Sequence, residues 1–167
     1  MTTDVVETIR VRHAPADVFE LVSDVERYPD FIPYLTMLRV LERVPVEDGG
    51  EIFTAEALVR FKMAKERFVT RVAAHPENFT VHVGLIDGPF RKLENHWHIT
   101  PLPDGSSQVD FSVSFEFANM FLGMLMRANK ERAVAFLIDR FVAEAARRYP
   151  TVGNSEFGGL RTIHAEQ

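Results

Sequence analysis

The chain contains no cysteine in 167 residues, which excludes disulfides, thiolate nucleophiles and Cys-ligated metals. Polar aromatics are scarce, with three Tyr and one Trp against fourteen Phe. Phe carries no polar handle, so this imbalance points to a dry interior, as a filled core or as the wall of a cavity. No apolar run approaches the roughly 20 residues of a membrane-spanning helix. The opening MTTDVVETIRVRH lacks the apolar stretch of a signal peptide. Excess positive charge is missing too: the formal net charge is −5, which argues against DNA as a partner. There is no Ser–His–Asp set, phosphate-cradling glycine loop or HExxH. An apolar fraction of 46 % excludes a wholly disordered chain, and the length suits one domain. The expectation is a cytoplasmic single-domain protein over residues 1–150, followed by a flexible tail over 151–167 with no period.

What is present is alternation. Val5, Ile9 and Val11 share one face of a strand, and Ala14-Pro15 then opens a short helix with apolar residues at 18, 19, 21 and 22. Phe53 to Met63 alternate without interruption. Phe68, Val72 and Ala74 share a face with Glu66 and Thr70, the polar wall candidates. Phe79 to Leu85, Leu93 to Ile99 and Val109 to Phe117 supply further strands, separated by Asp-Gly turns, and 36–46 alternates more weakly. From Phe121 to Tyr149 there is no proline, and Val134, Leu137, Ile138, Phe141 and Ala145 follow helical spacing. Such a helix is roughly 42 Å long at 1.5 Å per residue, matching the longest strand. The fold class is α+β: a curved antiparallel sheet of six or seven strands around one long C-terminal helix. A curled sheet gripping a single helix leaves volume to be packed or to hold an apolar guest.

Three segments do not fit plain elements. RYPDFIPYL, residues 27–35, combines three aromatics with two prolines, which disfavour both helix and ladder. His96-x-His98 puts two imidazoles on one strand face, but that face also carries Lys92 and Glu94, and no third metal ligand is placed. In FANMFLGMLM, residues 117–126, apolar side chains surround the whole helical circumference, so burial on one side cannot satisfy them.

The order of these parts resembles the START-like (helix-grip, SRPBCC) superfamily. Tyr28-Pro29-x-Phe31-x-Pro33 and Asp87-Gly88-Pro89-Phe90-Arg91-x-Leu93-x-x-x-Trp97 are similar to the coenzyme Q-binding group within it. That group includes mitochondrial ubiquinone chaperones and bacterial ribosome-associating toxins. The resemblance covers about residues 3–149. It implies a helix-grip fold and binding of ubiquinone or a precursor without catalysis, the quinone being a ligand and not a cofactor. It places RYPDFIPYL across one mouth of a cavity, as a ligand cap or as a proline-stiffened plug.

On that basis Tyr28, Phe31 and Tyr34 cap the site. Phe61, Phe68, Val83, Phe90, Trp97, Phe111, Val113, Phe115, Ile138 and Phe141 wall it. Alternation sets Arg91 and Asn95 on the face of Trp97, where they can bind quinone oxygens, sit at a solvated rim or serve the backbone. Phe121, Leu122, Met124, Leu125 and Met126 form a membrane or gate surface, or pack on the end of the sheet. Behind them Arg127, Lys130 and Arg132 form a basic cluster able to meet lipid head groups at the inner membrane. With Arg147 and Arg148, the same cluster would serve the large ribosomal subunit in a toxin-like alternative. An aromatase/cyclase-type enzyme, the third class, lacks an evident inward acid–base pair.

Overall fold

The computed structural model describes residues 2–61 and 63–155, and the backbone of 161–166. Strand β1 (Thr3–Val11) leads into helix α1 (Pro15–Ser23) and a 3₁₀ turn over Val25–Asp30. Six strands follow in a meander: β2 (Leu35–Pro45), β3 (Glu51–Phe61), β4 (Ala64–His75), β5 (Thr80–Asp87), β6 (Phe90–Pro101) and β7 (Ser107–Phe117). Helix α2 (Met120–Arg148) runs 29 residues, and β8 (Arg161–Glu166) closes the described chain. The sheet order is β2-β3-β4-β5-β6-β7-β1-β8, with every pairing antiparallel. The helix-grip architecture expected from the sequence is present.

Alternation decides which residues face the helix. Val5, Ile9 and Val11 of β1, Phe53 and Ala55 of β3, Val72 and Ala74 of β4, Trp97 and Ile99 of β6 and Phe111 of β7 are buried on the concave face. Helix α2 answers with one row, Val134, Ile138, Phe141 and Ala145. Ile138 is only 1 % exposed, so truncation to Ala there costs on the order of 2–5 kcal/mol. Asn119 starts the helix as its cap, its side chain accepting from the Phe121 and Leu122 amides.

The tail holds more order than its composition suggests. Val152 N–H donates to Arg12 O, Arg12 Nη2 donates to Gly153 O at 2.8 Å, and Arg10 reaches both Asp104 and the Asn154 carbonyl. Further on, β8 adds an edge strand beside β1, with Glu7 opposite Ile163. A polar, glycine-bearing segment reads as loose because its partners are backbone groups and two arginines far away in sequence. The remaining tail residues expected to be flexible, 156–160 and 167, lie outside the described residues.

Candidate ligand site between sheet and helix

The sheet and α2 enclose a wedge with two ends. Where α2 ends, the wedge is filled. Phe141 projects from the helix onto Trp97 (ring centroids 4.9 Å), Tyr28 (5.1 Å) and Phe31 (5.2 Å), and Trp97 meets Phe111 at 4.7 Å. Edge-to-face contacts of this kind add to the area that the rings bury. The 3₁₀ turn, with Pro29 inside it and Pro33 after it, holds Tyr28 and Phe31 between the β2 edge and the helix. Tyr28 and Phe31 of RYPDFIPYL therefore fill the gap that a single helix leaves beside a wide sheet. The Tyr28 hydroxyl donates to the Val22 carbonyl, and burial raises its pKa far above the ordinary phenol value. An apolar cavity of about 20 Å³ lies beside Trp97 and Val142, enough for about one water.

Where α2 begins, the wall is aromatic but less covered. Phe68 of β4 meets Phe90 at 5.8 Å, Phe90 meets Phe117 of β7 at 4.7 Å, and Phe117 meets Phe115 at 5.8 Å. Phe115 is buried, whereas Phe68, Phe90 and Phe117 keep part of their surface open. Gly88, at φ 153°, makes this ladder possible: a Cβ there would lie 2.5 Å from the Phe68 Cβ. Val83 and Val113 are half-buried between the two ends, and Thr70 is buried on the same face.

Asn95 is the polar group on this wall with a fixed orientation. The Trp97 Nε1–H donates to Asn95 Oδ1 at 2.8 Å, and Asn95 Nδ2 donates to the Ser112 carbonyl at 2.9 Å. An amide carries two N–H donors, so one remains for a ligand.

Several expectations are corrected. Arg91 does not share the Trp97 face: the pairing of β6 with β7 shifts between Phe90 and Lys92. This bulge turns Arg91 to solvent at 66 % exposure, 4.0 Å from Glu116. Tyr34 and Phe61 are not part of a closed wall. They meet edge-to-face at 4.9 Å on the rim, 53 % and 44 % exposed, with Tyr34 in a left-handed conformation at φ 73°. The apolar start of α2 splits into two rows. Leu122 and Met126 turn partly inward, while Met120, Phe121, Met124 and Leu125 are 51–83 % exposed.

The basic cluster behind them is broken up. Lys130 is 8 % exposed, on the inward row between Met126 and Val134. Arg148 lies over the Phe31 ring and pairs with Glu144 at 2.7 Å, while Arg147 pairs with the same carboxylate from the exposed side. These two guanidinium groups, Arg147 first, bring the Glu144 pKa down to about 2 despite its burial. His96 and His98 stand on the outer face, where His96 packs on His82 across the strands at 4.2 Å. Among the described residues no group of three potential metal ligands forms.

Glu7, Lys130 and Glu144 are buried charged groups that the sequence pattern did not single out as inward. Glu7 occupies the position between Val5 and Ile9, opposite Phe111, and is 1 % exposed. Strict alternation from Val5 puts Glu7 inward, but a carboxylate between Val5 and Ile9 is easily read as an interruption of the pattern.

The model for the polyketide cyclase / dehydrase and lipid transport family matches residues 11–142. The chain belongs to this family. It is 30 % identical to the ribosome association toxin RatA of Escherichia coli K12 over 142 residues, covering 85 % of this chain and 86 % of the relative. It is also 30 % identical to the mitochondrial coenzyme Q-binding protein coq10 of Schizosaccharomyces pombe over 148 residues, covering 86 % and 87 %. A START superfamily protein from Mycobacterium smegmatis superposes with a TM-score of 0.72 at 20 % identity, over 87 % of this chain and 98 % of that one. The START-like membership that the two motifs implied is thereby shown, and with it the coenzyme Q-binding group. No described helix is long and apolar enough to cross a membrane.

Proposed function

We propose that the protein carries an isoprenoid quinone, ubiquinone or a precursor, between the sheet and the first half of α2, and releases it unchanged. The observation that supports this most is the ladder Phe68–Phe90–Phe117–Phe115, which leads from a partly open end toward Asn95. Rings on the wall suit a flat head group and a branched unsaturated tail. The spare Asn95 N–H, held in place by Trp97, suits a quinone carbonyl. The coenzyme Q-binding relative supports the same ligand class.

Physical bookkeeping favours a carrier with such a wall. Each buried methylene is stabilised by about 0.8 kcal/mol relative to water, but the same tail is already dry in a bilayer. Net uptake therefore depends on packing and on a few head-group bonds, not on escape from water. The cavity of about 20 Å³ beside Trp97 is too small for a quinone ring, which favours the Phe68–Phe115 end for the ligand.

The toxin relative raises a second reading, association with the ribosome. The surface supports it less, because Lys130 and Arg148 are buried and cannot join Arg132 and Arg147 in one basic face. A cyclase-type enzyme is the third reading, and recovery of chemically altered ligand would favour it.

Trp97 is the chain's one tryptophan, so its fluorescence reports on this interior directly. Titration with a short-tailed ubiquinone should quench it saturably, and more weakly in Phe115→Ala and Asn95→Leu. Linear, non-saturating quenching equal in all three would defeat the carrier reading.

A further inference from the structure

The four most exposed large apolar side chains, Met63, Met120, Phe121 and Met124, lie at one end of the molecule and come from two separate elements. The first is the start of α2, with Met120, Phe121, Met124 and Leu125 outward. The second is the β3–β4 hairpin, where Phe61 pairs with Ala64 and Met63 at its tip is 98 % exposed. Both lie beyond the same sheet end: the Ala118 amide at the entry to α2 donates to the Pro89 carbonyl in the β5–β6 turn. The hairpin also extends past the Val69–Asp87 pair, where β5 ends. An exposed, unbranched methionine at a hairpin tip contributes nothing to the core.

Charge beside this tip is selective. Arg60 and Lys65 face each other across the hairpin immediately behind Phe61 and Ala64. They border a groove of about 160 Å³ whose other lining includes Thr36, Leu58, Glu66 and Arg67. Arg67 is committed to Glu56 at 2.5 Å and is shared with Asp87. Arg60 and Lys65 have no ion-pair partner among the described residues. Even with Glu66 counted against them, the groove keeps a positive excess in a protein of net charge −5.

We propose that this end docks on an anionic bilayer, with Met63 and the outer row of α2 entering the acyl boundary. Arg60 and Lys65 then take an anionic phospholipid head group in the groove. The apolar prongs sit foremost and the cations one residue pair behind, the order in which a bilayer offers hydrocarbon and phosphate. The seat deepens the carrier reading by naming the surface from which the ligand would enter, but its own chemistry does not require a quinone.

The test is flotation of the full chain with vesicles of phosphatidylcholine alone and of an equal mixture with phosphatidylglycerol. Binding should be confined to the mixed vesicles. R60Q/K65Q should lower it by about 30-fold, equivalent to about 1 kcal/mol per cation, and M63D should lower it without changing thermal stability. Quinone quenching of Trp97 should be intact in R60Q/K65Q. Equal binding to neutral vesicles, absence of binding, or binding indifferent to all three substitutions would overturn the seat. So would loss of ribosome sedimentation in R60Q/K65Q with no vesicle binding by the parent. Vesicle binding as expected without any quinone quenching would leave the seat standing and remove the carrier reading; the reverse pattern would do the opposite.

Discussion

The indole N–H of Trp97 and the side-chain carbonyl of Asn95 are joined by a 2.8 Å hydrogen bond on the concave face of β6. The bond settles which way the amide points, because only the oxygen can accept from an indole. Asn95→Leu keeps the volume but leaves a buried indole donor unpaired, at a cost of about 1–3 kcal/mol. It also removes the N–H offered to the ligand. Chemical denaturation and quinone titration should both shift, whereas Asn95→Gln should recover more stability than affinity.

Tyr28 separates the cap from the plug. Its hydroxyl is spent on the Val22 carbonyl and its ring on Phe141. Tyr28→Phe should therefore lower stability by about 0.5–1.5 kcal/mol and leave quinone affinity unchanged. A tenfold loss of affinity without loss of stability would return Tyr28 to the ligand site.

Gly88 tests the aromatic ladder. A methyl group at this position, 2.5 Å from the Phe68 Cβ, must displace Phe68 from Phe90. The backbone at φ 153° is strained for any side chain as well. Gly88→Ala should weaken quinone binding several-fold and lower the melting temperature, with β4 and β5 amides exchanging faster than those of β1.

Acid sensitivity follows from Glu144. Its folded pKa of about 2 lies below the ordinary carboxylate value, so its ion pairs stabilise the fold fully above pH about 4.3. That contribution is lost as the pH falls through about 2. Glu144→Gln should flatten the pH dependence of the melting temperature in this window. At neutral pH it should be destabilising, because it strips the countercharge from Arg148, whose side chain is 8 % exposed.

Much of this architecture was legible in the residues. Two-residue alternation located six central strands and the proline-free stretch located α2, because both periods are imposed by burial on one side. What was not legible depended on breaks in those periods. One extra residue at Arg91 reverses a side chain, and no local composition marks it. Lys130 reads as part of a surface cluster with Arg127 and Arg132, yet the helical row through Met126 and Val134 carries it inward. Arg148 looks exposed until the Phe31 ring, from far away in sequence, packs under its guanidinium beside the Glu144 pair. The ordered part of the tail rests on Arg10, Arg12 and Asp104, about a hundred residues or more from some of their partners.

The most direct measurement is native mass spectrometry of the protein expressed in a quinone-producing host, followed by organic extraction of what it carries. A mass increment that extracts as chemically unaltered ubiquinone or a precursor, and that is lost from folded Phe115→Ala, is the predicted result. Protein that emerges empty, ignores added quinone and sediments with ribosomes would contradict the account.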